Sequence, residues 1–176
     1  NAAFARRDAA VAMDNDGGYV VVWAEHYYSA SYNSGSSVIS GFSRFFGEIR
    51  MRRYEADGTP KGAVETITTP DTRLDVNPDI AMDANGNAVM VWGQLEAVSV
   101  TEMYALIQAK RLQSGAWGQS IQVARELGAN SLLSAPQVKM NATGSALVAW
   151  GQGDQSIRAT VAPAGAAWPA PTIVKP

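Results

Sequence analysis

Apolar and polar residues alternate over short runs along the whole chain, and most runs end at a turn that contains glycine. A period of two is the pattern of half-buried β-strands, and no stretch shows the longer period of a convincing helix. The segment Arg125–Asn130 resembles a short helical turn, but its position between two sets of runs favours a linker. The pattern predicts about twelve strands and an all-β protein.

One combination of turn and strand occurs three times. An Asp or Asn is followed three residues later by Gly and, six residues after that, by a Trp that ends an apolar run. The Gly supplies the positive φ of a tight hairpin, and the Asp or Asn bonds the backbone of its own turn. A repeat of this size indicates one supersecondary unit that is built three times and stacked. Its three copies are Asp14–Gly17–Trp23, Asp83–Gly86–Trp92 and Asn141–Gly144–Trp150.

Each repeat continues through a third strand and a short fourth strand. The third strands match at Ile49, Ile107 and Ile157, whereas the loop before this Ile shortens from the first repeat to the last. The fourth strands are predicted at Val64–Thr68, Ser120–Ala124 and Thr172–Val174.

These strands predict one repeat domain over residues 1–176, with four-stranded units at 8–69, 75–126 and 134–176. Sets of four antiparallel strands are typical of propeller blades. The expected fold is therefore all-β and β-propeller-like, with three four-stranded antiparallel blades that are part of a larger ring or assembly.

The second repeat runs from Pro78 to Trp92 and reads PDIAMDANGNAVMVW. It resembles the repeats of a group of bacterial exported proteins with a predicted β-propeller fold, whose pattern is roughly A-M-D-x-x-G-x-x-V-x-V-W. The resemblance covers nearly the whole chain. It implies a propeller fold and a secreted or cell-surface protein, but no activity, because such repeats are mostly uncharacterised. The Asp-box of sialidases places Trp three residues after Gly instead of six, so no sialidase activity is implied.

Three blades do not close a ring, since closed propellers have about four to eight blades. The outer faces of the first and last repeats would expose apolar surface, which is an aggregation liability. We therefore expect the partner to be a second copy, joined head to tail in a six-bladed ring, or further blades of a longer parent chain. An open array with other subunits is a third solution, and a small domain that covers its own ends is the alternative. The first residue, Asn1, fits a processed protein or a fragment.

Composition narrows the class of protein. Of the 176 residues, 47% are hydrophobic and 17% are charged, which favours a folded domain over a disordered chain. The net charge of −2 gives no reason to expect nucleic acid as a partner, and the basic cluster Arg50, Arg52 and Arg53 is interpreted as the solvated side of a strand. No apolar stretch approaches the roughly 18 residues needed to cross a bilayer, so we expect no membrane span. The absence of Cys excludes disulfides and is compatible with an extracellular or cell-surface location, with the periplasm as the alternative.

The candidate binding site is the long loop between the second and third strands of the first repeat, from Glu25 to Arg44. In a propeller this loop lies on the ring face that commonly binds ligands, and its Tyr, Ser and Gly content is that of many paratopes. The alternatives are a mobile loop or a cap over the first blade. Two tryptophans that follow turns are added as ligand contacts, whereas the three repeat tryptophans are expected in the core. The predicted ligand-binding residues are His26, Tyr27, Tyr28, Tyr32, Phe42, Trp117 and Trp168.

No cofactor is expected. The turn Asp14–Gly17 resembles a fragment of a calcium loop, but it offers only two or three side-chain oxygens, where calcium takes about six to eight. Hairpin chemistry explains all three turns, and calcium is kept as an alternative. With no Cys and one His, nucleophilic catalysis is not expected.

The sequence favours a non-enzymatic binding or assembly module that presents the loop to a glycan or a protein partner. The rival hypothesis is a glycoside-processing enzyme with Glu25 and Glu96 as its two carboxylates. A third hypothesis is a purely structural subunit of an extracellular filament or matrix.

Overall fold

The structure, a computed structural model, describes residues 4–29, 44–68, 73–98, 102–127 and 135–175. In these ranges it contains thirteen β-strands and no helix, which confirms the all-β prediction. The strands are β1 (Phe4–Met13), β2 (Tyr19–Ser29), β3 (Arg44–Tyr54), β4 (Glu65–Thr66), β5 (Leu74–Met82), β6 (Ala88–Ala97), β7 (Met103–Gln113), β8 (Ala116–Trp117), β9 (Ile121–Leu127), β10 (Gln137–Met140), β11 (Ala146–Gly151), β12 (Ile157–Ala162) and β13 (Thr172–Lys175).

Antiparallel pairing divides the strands into three units. Unit 1 is the meander β1-β2-β3-β4, and unit 3 is the meander β10-β11-β12-β13. In unit 2, β5, β6 and β7 form a meander, and β7 also pairs with both β8 and β9. A parallel bridge between Gly47 and Leu74 joins units 1 and 2 into a nine-stranded sheet, while unit 3 is a separate four-stranded sheet.

A close approach of β3 and β5 explains the bridge. A Cβ atom at Gly47 would lie only 2.5 Å from the carbonyl oxygen of Asp75, so the two backbones meet here because this residue is glycine. The amide of Gly47 donates to the carbonyl of Arg73 at 3.3 Å. The contact lies on the C-terminal side of Trp23, at the end of unit 1 where β2 ends and β3 begins.

The first hairpin turn of each unit is closed by the same hydrogen bonds. The Oδ1 atom of the Asp or Asn accepts the backbone N–H groups two and four residues later, at 2.9 to 3.1 Å. The glycine three residues on has a φ of 77° to 86°, a region that side chains disfavour. Because only one side-chain oxygen accepts these bonds, Asn closes the third turn in the same way that Asp closes the other two. The turns begin at Asp14, Asp83 and Asn141.

The core consists of two apolar layers, one between units 1 and 2 and one between units 2 and 3. β6 lies between the layers, and its residues alternate, so that Met90 and Trp92 reach the first layer while Val89 and Val91 reach the second. The units thus stack face to face, and each layer is filled from two sheets. Unit 1 contributes Val20, Val22, Ala24, Ile49, Met51 and Ile67 to the first layer. Unit 3 contributes Val138, Ala146, Val148 and Trp150 to the second.

The fourth strands differ in length from the predictions. β4 contains only Glu65–Thr66, shorter than expected. β9 extends to Leu127, so the predicted linker from Arg125 onwards was wrong for its first three residues. The extension is explained by Arg125, whose guanidinium lies 3.7 Å from the Tyr104 ring centroid and donates to Glu96 at 3.1 Å. Local propensity does not predict these contacts, because Tyr104 lies on the adjacent strand β7 and Glu96 lies one strand further, on β6.

Candidate functional site

The three repeat tryptophans occupy the same position in their units. Each lies in the second strand, opposite the residue that follows the matched Ile of the third strand. Trp92 and Trp150 are buried in the first and second apolar layers, whereas Trp23 is half-buried on the outside of unit 1. The common register supports one repeated structural unit. The cross-strand pairs are Trp23–Arg50, Trp92–Gln108 and Trp150–Arg158.

Every repeat tryptophan donates its indole N–H to a polar side chain. In units 1 and 3 the acceptor is the residue two positions later, Glu25 Oε1 at 3.3 Å and Gln152 Oε1 at 3.0 Å. In unit 2 the acceptor is Asp75 Oδ1 at 3.1 Å, which also accepts from Gln94 Nε2 at 2.7 Å. The residue two after each Trp therefore belongs to a polar cap. Gln94 and Gln152 were not predicted in this role, although each follows its Trp by two residues in the sequence.

In unit 1 this cap is a charged cluster on the outside of the sheet. Glu25 Oε1 accepts from Arg6 Nε at 2.9 Å, and Glu25 Oε2 lies 3.3 Å from Arg50 Nε. The Tyr27 hydroxyl lies 3.3 Å from both Glu25 and Glu48 and accepts from Arg50 at 2.9 Å. Burial opposes ionisation of Glu25, but its hydrogen bonds, that from Arg6 first, and the charge of Arg50 hold its pKa below the ordinary value.

Glu96, the second carboxylate of the glycosidase hypothesis, lies in another cluster. Its Oε1 accepts from Arg73 at 2.7 Å, and its Oε2 accepts from Arg125 at 3.1 Å. Both candidate carboxylates are thus bound by two arginines. The general acid of a glycosidase needs a raised pKa, whereas the pKa of Glu25 is lowered. This geometry does not suit Glu25 for the acid role.

The predicted ligand-binding residues of the first loop fall into two groups. His26 and Tyr27 lie in β2, which continues beyond the expected start of the loop. His26 is half-buried on the side of β2 that carries Ala24, and burial lowers its pKa. Tyr28 also lies in β2, with its backbone opposite that of Phe45. The other two predicted residues, Tyr32 and Phe42, lie outside the described residues.

The other two predicted ligand contacts, Trp117 and Trp168, pack against the apolar layers. Trp117 lies in β8 against the first layer and donates its indole N–H to Met51 Sδ at 3.2 Å. Trp168 packs against the second layer, with its ring 5.2 Å from the Arg111 guanidinium. Each tryptophan thus extends from its own unit onto the layer shared with the preceding unit. Since the two belong to different layers, they do not form one site with each other.

The outside of unit 1 is an open face, here called the head face and defined by Val11, Met13, Tyr19, Val21, Trp23 and Tyr54. Cross-strand pairing places Val11 with Val21 and Met13 with Tyr19 on this side. Val11 is 61% exposed, whereas the residues at its position in units 2 and 3, Ile80 and Val138, are 4% and 0% exposed. The head face therefore leaves open a position that is buried in the other two units.

The outside of unit 3 is a second open face, here called the tail face and defined by Leu147, Ala149, Ile157, Ala159, Val161 and Val174. Ile157 is 41% exposed, whereas Ile49 and Ile107 at the same position in units 1 and 2 are 0% exposed. Val161 and Val174 are 53% and 64% exposed. Val174 lies at a β-bulge in β13. The same position in β9 is occupied by Val123, which belongs to the second layer. The tail face is thus an aliphatic surface made of positions that the stack elsewhere covers.

A cleft of about 130 Å³ lies between the first turn of unit 2 and the first turn of unit 3. Its polar lining includes Asn85, Asn87, Gln113 and Thr143, together with Arg111 from β7. This cleft could not be predicted from the sequence, because its walls come from turns far apart in the chain.

Within the described ranges, no group of three or more His, Asp and Glu residues is placed to hold a metal ion. In the same part of the chain, no helix has the length and apolar character needed to cross a membrane. The sequence matches no protein-family model. No curated protein shows significant similarity to it. The inference of function therefore rests on the geometry of the two open faces, the charged cluster and the cleft.

Proposed function

We propose that this chain is a non-enzymatic assembly module of the β-propeller type, whose head face docks onto the tail face of a second copy. The observation that carries the proposal is the exposure of Ile157, whose counterparts Ile49 and Ile107 are fully buried. The head face shows the complementary exposure at Val11. Docking of head on tail would repeat an interface that the molecule already forms twice between its own units.

Side-chain size supports the pairing of these two faces. On the head face, Tyr19 and Tyr54 stand where unit 3 has two alanines, and their rings stack with centroids 4.9 Å apart. On the tail face, Ala149 and Ala159 stand where unit 1 has a valine and a methionine. Larger residues at one end thus accompany smaller residues at the other, as required to keep the volume of a packed layer.

The chemistry of the faces also differs in a way that favours head-to-tail docking. The head face carries Trp23 and two tyrosines beside Arg50, and Trp, Tyr and Arg are the residues enriched at interface hot spots. The tail face is aliphatic. Two chains related by a two-fold axis can bury both faces of both chains, which gives a closed ring of six units.

The magnitude of the effect favours such a closed pair over a single junction. Burying a half-exposed Ile, Leu or Val contributes about 1 kcal/mol, so the four large aliphatic residues of the tail contribute about 4 kcal/mol. Association of two proteins costs at least about 4 kcal/mol in lost freedom. One junction is therefore marginal, whereas two junctions in one ring share a single cost of association.

The absence of Cys makes the docking directly testable. We expect the variants Val11→Cys and Ile157→Cys to form a mixed disulfide with each other when they are combined and oxidised. Neither should cross-link alone, and Ala116→Cys, exposed outside both faces, serves as the control. Light scattering of the unmodified chain should give twice its mass of 18.7 kDa. A monomer at every concentration, or cross-linking that the control matches, would refute the proposal.

A second candidate function is binding of a glycan or protein by the loop of the first repeat. The antiparallel pairing of β2 with β3 continues to Ser29 and Arg44. These two paired strands form a stem, and residues 30–43 connect its two ends in the chain. The charged cluster around Glu25 lies on that stem. Replacement of residues 31–41 by a short Gly-Ser linker should abolish glycan-array binding and leave the oligomeric mass unchanged. If bound glycans are the same after the replacement, the loop is not the binding site.

Two further expectations accompany the proposal. An extracellular or cell-surface location follows from the resemblance to exported repeat proteins, and fractionation of cells that express this protein tests it. The glycosidase hypothesis predicts activity that is lost in Glu25→Gln and Glu96→Gln. The paired arginines at both carboxylates support the non-enzymatic alternative.

A further inference from the structure

A buried cation lies at the cleft between units 2 and 3. Arg111 is 9% exposed and forms part of the cleft wall. Its Nη2 donates to the Pro163 carbonyl at 3.3 Å, and its guanidinium lies 5.2 Å from the ring centroid of Trp168. Burial lowers the pKa of Arg111, with no opposing contribution from a carboxylate. Among the described residues, the guanidinium donates to one carbonyl, lies over one aromatic ring and forms no ion pair.

Arg53, the residue at the same position in unit 1, has a carboxylate partner. Its Nε lies 3.7 Å from Glu65 Oε1, and its Nη1 donates to the Gly115 carbonyl at 3.3 Å. Glu65 lies opposite Met51, and the matching position in unit 2 is Ile121, opposite Ala109. Unit 2 therefore keeps the carbonyl acceptor in the next unit but replaces the carboxylate with an aliphatic residue.

Two side chains that lie against each other each have a buried donor atom without an acceptor in the described part of the chain. These atoms are Arg111 Nε and Trp168 Nε1. A buried donor without an acceptor is unfavourable, and a buried charge without a counter-ion is more so. The adjoining cleft, with its volume of about 130 Å³, has room for a few water molecules or for a carboxylate with its attached atoms. Arg111 lines this cleft and Trp168 does not, so an acceptor that enters the cleft from outside the chain would meet the Arg111 guanidinium.

We propose that the Arg111 end of this cleft binds a small ligand through a carboxylate group. A planar carboxylate matches the donor geometry of a guanidinium, and a charge-assisted bond of this kind is stronger than a neutral one. The amides of Asn85, Asn87 and Gln113 line the same cleft and suit the hydroxyl groups of an acidic sugar. The site is formed within one chain, so it is independent of head-to-tail docking.

Asp83 sets a limit on the charge of the ligand, because its carboxylate lines the same cleft. Its Oδ1 accepts from the backbone N–H groups of Asn85 and Asn87, and its Oδ2 accepts from Asn87 Nδ2 at 2.9 Å. These three donors reduce its repulsion of an anion but do not remove it. A monovalent carboxylate is therefore favoured over a phosphate dianion.

The indole N–H signals of the protein report on the site. The chain has five Trp, so a nitrogen–proton correlation spectrum contains five indole signals, and Trp168→Phe assigns one of them. Sodium glucuronate and N-acetylglycine are the carboxylate probes, with inorganic phosphate as the dianion and glucose as the neutral control. Because the Trp168 ring lies 5.2 Å from the Arg111 guanidinium, we expect its signal to shift and to saturate with either carboxylate. A larger effect of glucuronate identifies the acidic sugar, whereas a larger effect of N-acetylglycine overturns that assignment.

Substitutions separate a ligand site from a structural arginine. Arg111→Gln should weaken carboxylate binding at least about tenfold, because it removes the charge. Arg53→Gln, the matched change at the paired arginine, should leave binding unchanged. If Arg111→Gln fails to fold, Arg111→Lys keeps the charge and should still weaken binding by loss of the planar fork. A Trp168 signal that does not respond to any carboxylate, or that responds equally in Arg111→Gln, would show that Arg111 only joins units 2 and 3.

Discussion

Ile157 and Ile107 occupy the same position in adjacent units, yet Ile157 is 41% exposed and Ile107 is 0% exposed. Their strands pair in the same register with the strand before them, Gly151 opposite Ile157 and Gly93 opposite Ile107. The difference arises from what lies on the sheet, because unit 3 covers Ile107 and no described residue covers Ile157 in the same way. The same substitution made at both positions therefore measures how much the covering unit affects stability.

Ile107→Glu should prevent folding, since it places an unpaired charge inside the second apolar layer. Ile157→Glu should change the free energy of unfolding of the single chain by no more than about 0.5 kcal/mol, as surface substitutions do. It should also convert the pair of chains into monomers. Urea unfolding and light scattering measure the two effects. If Ile157→Glu unfolds the single chain, the tail face is covered by another part of the same chain.

The repeat tryptophans should differ in their contribution to stability. Trp92→Ala creates a cavity in the first layer and should cost about 3–5 kcal/mol in the free energy of unfolding. Trp23→Ala lies on the open head face and should cost less in dilute solution, with a loss of about 1–2 kcal/mol in the free energy of unfolding. Chemical denaturation at low protein concentration checks both values. Equal costs at that concentration would mean that the head face is covered within one chain.

Stability should depend on the ionisation of Glu25. Its pKa is lower in the folded chain than in the unfolded chain, so its stabilisation is present above the ordinary value of about 4.3. The stabilisation is lost as the pH falls through the folded pKa. Glu25→Gln copies the residue that units 2 and 3 have at this position. The melting temperatures of this variant and of the unmodified chain should converge as the pH falls from about 7 to about 3. A constant difference would contradict the assignment.

His26 should make the fold sensitive to mild acid. Burial lowers its pKa, although the charge of Asp8 and a hydrogen bond with the Asp75 backbone act in the opposite direction and the charge of Arg7 acts with burial. The unfolded chain then binds the proton more readily, so stability falls as the pH drops below about 6.5. His26→Gln should remove this decrease, and the imidazole proton signals should titrate below the ordinary value. Titration at or above that value would contradict burial as the dominant cause.

Asp83 should be replaceable by Asn but not by Ala. Asp83→Ala removes the acceptor of two backbone N–H groups and should cost about 1–2 kcal/mol, the value for loss of a capping side chain. Asp83→Asn keeps Oδ1 and should cost less, as Asn141 already closes the equivalent turn. Thermal unfolding with and without EDTA provides the control for calcium. A decrease in melting temperature with EDTA would favour the calcium alternative over hairpin chemistry.

Much of the fold was predictable because its signals are local. The turn at Asp14 and its glycine at Gly17 set a hairpin by hydrogen bonds within five residues, and the alternation around Trp23 sets the strand. The first loop was predicted less well, because composition rich in Tyr and Ser does not show how far a ladder continues. Pairing of Tyr27 with Phe46 carries β2 into the predicted loop and places the Tyr27 hydroxyl among charged groups.

Hairpin chemistry and strand alternation act between residues close in the chain, so the repeating unit can be recognised from the sequence. The burial of one of three equivalent positions rather than another, and the ion pair of one of two equivalent arginines, follow from three-dimensional packing. Ile49, Ile107 and Ile157 are identical as residues, and so are Arg53 and Arg111. Their burial and charge pairing depend on side chains from other strands and units, which local sequence does not specify.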